Sequence, residues 1–162
     1  MSSSVHGFAG PVIYLDTMLP YALLRSVDLG AKDFFERIEQ GVLTAYTSVL
    51  TFDELAYRLL LALIKDHYGG SPLDLLRAQE DRLITEFAPA VTSELRKLRN
   101  FPNLTVLDVT RFDLEVMNQA MVDFAIRPRD ALHFAAMQSI SCLDLASNDH
   151  HFDRIPQIRR FS

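Results

Sequence analysis

A single cysteine, Cys142, stands in 162 residues, so the chain cannot close an internal disulfide and offers no zinc framework of paired cysteines. That usage fits a reducing, cytoplasmic compartment. The longest apolar run, Leu59 to Ile64, falls far short of the roughly 20 residues a membrane span needs. Residues 1–10 show no basic stretch followed by an apolar one, so no secretory signal is read there. Linkers, internal repeats and low-complexity segments are also missing. With 49% hydrophobic and 23% charged residues, the composition is that of a folded globular chain. The expected organisation is a flexible N-terminal segment, residues 1–10, followed by one domain, residues 11–162.

Positive charge is in short supply as well. The formal net charge is −5, which argues against a protein that coats nucleic acid through a basic surface. It does not argue against an acidic metal site, because bound divalent ions reverse the local sign. The basic residues cluster as Arg96, Lys97 and Arg99, as Arg127 and Arg129, and as Arg154, Arg159 and Arg160. Each cluster taken alone reads as a solvated surface.

What is present is an alternation of strands and helices. Strands are expected over Val12–Leu15, Val42–Thr47, Leu104–Val109, Leu143–Ala146 and Ile158–Phe161. Helices are expected over Thr17–Val27, over Lys32–Gln40 with Gly41 closing it, and over Thr51–His67. Another runs from Pro72 to Ala88 and is broken by Pro89; the rest cover Pro89–Arg99, Thr110–Phe124 and Pro128–Ser141. This order predicts a three-layer α/β/α sandwich around a mostly parallel sheet of four to five strands. In such sheets ligands bind beyond the carboxyl ends of the strands, at a topological switch point. Asp16 follows the first strand, Glu54 follows the second and Asp149 follows the fourth. Asp130, in the first turn of its helix, is placed to join them.

Carboxylates held this close repel one another, and some must take up protons unless a cation is present. Mg²⁺ or Mn²⁺ removes the conflict and prefers oxygen ligands. A site of that kind suits in-line displacement at phosphorus by activated water. Each acid also has a structural reading. Thr51-x-x-Glu54 matches a capping box, and so does Thr110-x-x-Asp113, to which only the capping role is given. Asp130 suits the helix dipole, and Asp149 suits a turn. Asp16, at the end of an apolar strand, is the hardest to explain without a ligand. Ser147 is a candidate for orienting a water or an acid. His133 reads as a buried structural histidine, and His150 and His151 as a surface turn. The helix from Thr51 is apolar around most of its circumference, which leaves core burial and a partner groove both open.

The segments Tyr14-Leu15-Asp16-Thr17, Thr51-Phe52-Asp53-Glu54-Leu55, Arg127-Pro128-Arg129-Asp130-Ala131-Leu132-His133 and Ser147-Asn148-Asp149-His150-His151-Phe152-Asp153 resemble the four signature segments of PIN domains. They occur in the family's order and span nearly the whole chain. Within the family the likeness is to VapC-type ribonuclease toxins of prokaryotic toxin–antitoxin pairs. The resemblance implies a Mg²⁺- or Mn²⁺-dependent endoribonuclease with Asp16, Glu54, Asp130 and Asp149 as catalytic acids and metal ligands, and Asp153 as a further acid. It also implies an RNA substrate, a homodimer and a small antitoxin partner. Arg127 and Arg129 would then hold RNA phosphate or an antitoxin carboxylate. The alternatives are an RNA-processing nuclease without an antitoxin and a catalytically silent binding module. One departure is plain: the family often has Asn or Ser two residues after the first Asp, and here that residue is Met18. The same Met18 excludes an aspartyl-nucleophile phosphatase, which needs a second Asp at that position.

Overall fold

In β1, Val12–Leu15, alternate side chains enter two different cores, and this sets the layering of the molecule. Ile13 and Leu15 point to one face, Tyr14 to the other, and all three are fully buried. The computed structural model describes residues 4–162. Its sheet has five parallel strands in the order β3-β2-β1-β4-β5. The others are β2 (Thr44–Ser48), β3 (Leu104–Leu107), β4 (Asp144–Ala146) and β5 (Arg159–Phe161).

Helices cover both faces. On the first, α1 (Met18–Arg25), α2 (Leu29–Glu39), α3 (Val49–Tyr68) and α5 (Glu80–Arg99) deliver Leu19, Phe34, Phe35, Ile38, Leu55 and Val91 onto Ile13 and Leu15. On the second, α6 (Asp113–Phe124) and α7 (Pro128–Ser139) deliver Ala120, Phe134 and Met137 onto Tyr14 and Leu145. A small satellite core of Ile64, Leu76 and Leu83 ties the far end of α3 to α4 (Pro72–Ala78) and α5. The expected three-layer sandwich is therefore the observed one. Among the described residues no helix is long and apolar enough to cross a membrane.

Several local expectations shift for physical reasons. The second helix begins at Leu29 because Asp28 caps it, accepting a hydrogen bond from the Gly30 amide at 2.8 Å. Its end is as read: Gly41, at φ +72°, carries the Gly41→Ile38 and Val42→Arg37 backbone bonds of a Schellman turn. The expected break at Pro89 is absent. The chain breaks instead at Gln79, and α5 runs unbroken through Pro89. Pro89 and Thr85, whose carbonyl would have bonded residue 89, are both exposed, so water can serve that carbonyl. Along the opposite face Leu83, Val91 and Leu98 are buried and Phe87 and Leu95 partly so, an apolar stripe that joins the satellite core to the first.

The segment expected to be flexible, residues 1–10, starts with three residues outside the described ones. Beyond them two side chains are anchored: Val5 and Phe8 are buried in the first core, and the Val5 amide donates to the Ser162 carbonyl at 3.2 Å. Of the two readings given to the long apolar helix α3, core burial is the one observed. Leu55, Leu59 and Ile64 are core, while Ala56, Tyr57 and Leu60 line an open groove of about 290 Å³ against α5.

Candidate active site

The chain runs outward from β1 through β2 to β3, then returns to place β4 on the other side of β1. The switch point therefore lies at the carboxyl ends of β1 and β4. Asp16 and Ser147 are the first residues beyond those two strands, and the Asp16 amide bonds the Ala146 carbonyl at 3.1 Å. Asp16, Glu54, Asp130 and Asp149 all line one cleft of about 430 Å³, together with Arg127, Pro128, Arg129 and His133. A second, larger hollow of about 690 Å³ shares Asp16, Glu54 and Asp149 and continues past Met18, Arg58 and Asn148.

Hydroxyl groups orient the first two acids. Ser147 is fully buried, and its Oγ donates to Asp16 Oδ2 at 2.6 Å while accepting from the Asp149 amide at 3.0 Å. One serine thus fixes two of the four acids, a sharper version of the orienting role expected for it. Thr17 Oγ1 lies 2.6 Å from Glu54 Oε2 and 3.3 Å from Asp16 Oδ1; with one proton to give, it donates best to Glu54. Thr17 did not emerge from the sequence, where it was only a helix start. It supplies the polar contact that Met18 cannot. Met18 itself packs against the first core.

Glu54 is not a capping residue. Ser48, in extended conformation, is the residue that precedes α3, and Thr51 Oγ1 turns to the Leu15 carbonyl at 3.4 Å. Glu54 therefore lies well inside the helix, facing the cleft, and its Oε1 accepts from Arg129 at 3.2 Å. Arg129 also pairs with Asp53 at 3.1 Å. By contrast, Asp113, the first residue of α6, does bond back to Thr110, accepting from its amide at 2.6 Å and its hydroxyl at 2.9 Å.

The surroundings push the remaining acids in opposite directions. Asp130 Oδ2 is buried without a hydrogen-bond partner. Burial pushes its carboxyl above the usual range, and the Asp149 and Asp16 charges push it further, against His133 and Arg127. At Asp149 burial also acts upward, but the His151 amide and ring, bonded to Oδ1 at 2.9 and 2.6 Å, and the Arg127 charge outweigh it and hold the carboxyl low. Asp153 goes elsewhere. It pairs with Arg160 through two bonds, at 2.7 and 2.9 Å, which holds its carboxyl below the usual range; it does not line the cleft. Arg160 in turn donates to the Ser147 carbonyl at 3.0 Å. His150 is exposed and stacks on the His151 ring at 4.6 Å, so of that surface pair only His151 bonds a site acid.

A model of the PIN domain matches residues 13–158, and the chain belongs to that family. No curated protein matches the sequence. Among solved structures, the chain is similar to VapBC2 from Rickettsia felis bound to a DNA fragment from their promoter, with a TM-score of 0.62 and 14% identity over 92% of this chain and 96% of that one. It is similar to Mycobacterium tuberculosis VapC20, described as a sarcin-ricin loop cleaving toxin, with a TM-score of 0.54 and 17% identity over 87% and 92%. A toxin–antitoxin complex from Klebsiella pneumoniae gives a TM-score of 0.52 and 14% identity over 90% and 94%. At these identities the likeness is one of fold.

Proposed function

We propose that this PIN-domain protein is a divalent-metal-dependent endoribonuclease that serves as the toxin of a toxin–antitoxin pair. The observation that carries the reading is the convergence of Asp16, Glu54, Asp130 and Asp149 on one cleft at the switch point, with Asp130 Oδ2 buried and unpartnered. An orphaned carboxylate oxygen among like charges is costly, and a bound cation relieves it. The donor set is rich in hard oxygen, which fits Mg²⁺ or Mn²⁺. Asp16, Glu54, Asp130 and Asp149 would hold the ion, which when bound supplies an activated water for attack on a phosphodiester.

The protein's own groups prepare that reaction. Ser147 and Thr17 hold the Asp16 and Glu54 carboxylates in place. Arg127 faces the cleft without an ion-pair partner among the described residues, and offers its guanidinium to an RNA phosphate. Arg129, tied to Asp53 and Glu54, braces the rim. Asp153 acts at one remove, through Arg160 and the Ser147 carbonyl. The groove between α3 and α5 adjoins Asp53 and suits an amphipathic antitoxin segment. A cytoplasmic homodimer completes the proposal.

Purified protein should cleave single-stranded RNA with Mg²⁺ or Mn²⁺ and stop on addition of EDTA. Asp16→Asn should lower the rate by at least about a hundredfold, the scale of losing one preorganised charge contact in an active site. Full activity in EDTA, or in Asp16→Asn, would remove the metal-dependent reading. For the toxin role, induced expression should arrest growth with the native chain and not with Asp16→Asn.

A further inference from the structure

His133 differs from the other groups of the cleft in being neither acidic nor exposed. It lies on α7 one turn after Asp130 and is 2% exposed. Its Nδ1 is 2.8 Å from the Tyr14 hydroxyl oxygen, and that hydroxyl donates to Ser48 Oγ at 2.7 Å. Because that hydroxyl gives its proton to Ser48, the His133–Tyr14 contact is made by Nδ1–H donating to the Tyr14 oxygen, which leaves Nε2 as the ring nitrogen open to the cleft. Nε2 is buried, has no hydrogen-bond partner, and lies 3.9 Å from Asp16 Oδ1 on the cleft side.

A buried acceptor left unpaired carries its desolvation cost unless something occupies it. A hydrogen bond to Asp16 does not, since 3.9 Å is too long. A shared cation does. Ligand atoms of His133, Asp16 and Glu54 lie within 4.8 Å of one another. Two ligands at about 2.1 Å from one ion stand at most about 4.2 Å apart, and the Nε2–Oδ1 pair already satisfies this. Metal-bound histidines almost always donate their other ring N–H to a fixed acceptor, which sets the tautomer and aims the ring. Tyr14, held by Ser48, is that acceptor here.

We propose that His133 Nε2 is a nitrogen ligand of the ion held by Asp16 and Glu54, so that the site is a mixed nitrogen–oxygen one and selects a first-row transition ion over Mg²⁺. The proposal rests on the metal-dependent reading above. Nitrogen ligation adds little for Mg²⁺, which prefers oxygen and keeps its waters, and more for transition ions.

The test uses Mn²⁺ as probe on the full chain and reads it by pulsed electron paramagnetic resonance. Native protein with Mn²⁺ bound should show ¹⁴N coupling. His133→Gln, whose amide can still bond Tyr14, should bind Mn²⁺ roughly tenfold or more weakly and lose the coupling. Its Mg²⁺ affinity, from competition, should change less. His151→Gln should keep the coupling. Bound Mn²⁺ without ¹⁴N coupling in the native protein overturns the proposal with no variant needed. So does coupling that survives in His133→Gln or vanishes in His151→Gln. Failure of native protein to bind Mn²⁺ at all overturns the metal-dependent reading itself, and this proposal with it.

Discussion

Asp130 Oδ2 is buried without a partner, and the Asp149 and Asp16 charges bear on the same carboxyl. Its folded pKa lies above the ordinary 3.8, so the folded state binds this proton more tightly than the unfolded chain does. Stability from this group is therefore fully present below the unfolded value and is lost as pH rises through the folded value. Above the folded value Asp130 ionises at a cost that Asp130→Asn avoids. In EDTA at pH 7 the variant should melt above the native protein, each kcal/mol amounting to roughly 2–4 °C in a chain of this size. The gap should close toward pH 3.5 and reverse in saturating Mn²⁺, which only the native site holds well. A lower melting temperature for Asp130→Asn in EDTA at pH 7 would show that the carboxylate is satisfied by another group. At this scale the sequence was only partly legible. Acid after a strand marked Asp16, but Thr51-x-x-Glu54 carried two meanings. Only the fold shows that Ser48, not Thr51, precedes the helix and that Glu54 is free for the cleft. Thr17 and His133 depend on contacts across the sheet, Thr17 to Glu54 and His133 to Tyr14, which no local pattern encodes.

The elements were more legible, because strand and helix periods are local properties. β1 reads directly as an apolar run between Pro11 and Asp16, and the α2 ending follows from Gly41 alone. α5 is the exception, since the local rule for proline competes with an apolar stripe that continues through it. The stripe prevails because its burial on α3 and the sheet extends over the whole helix, whereas Pro89 forfeits one backbone bond on the wet side. An interior proline nonetheless costs up to about 3 kcal/mol of helix stability, offset by about 0.4–1 kcal/mol through its stiffening of the unfolded chain. Pro89→Ala should therefore stabilise the protein by about 1–2 kcal/mol, read as a higher urea midpoint at unchanged slope. An unchanged or lower midpoint would mean that α5 already accommodates its proline without loss.

For the whole molecule, a net charge of −5 must be reconciled with the RNA substrate that we propose. The topology offers a reconciliation by gathering the acids at one end of the sheet beside a few arginines, so that on the proposed reading RNA would be held in the cleft alone. Arg129 is neutralised by Asp53 and Glu54, and Arg58 sits over the Tyr21 ring at 4.6 Å. Arg127 is thus the main cation left for phosphate, with Arg58 as a second. Neutralising Z phosphates of single-stranded nucleic acid gives a slope of log K against log salt of roughly −0.7Z. With two contacts, binding of single-stranded RNA to the inactive Asp16→Asn protein in Mg²⁺ should show a slope near −1.4, and Arg127→Ala should make it shallower by about 0.7. A slope steeper than about −3 would require a basic surface away from the cleft. The Arg96, Lys97 and Arg99 group at the end of α5 would then be the place to look, and confinement of RNA contacts to the cleft would be wrong.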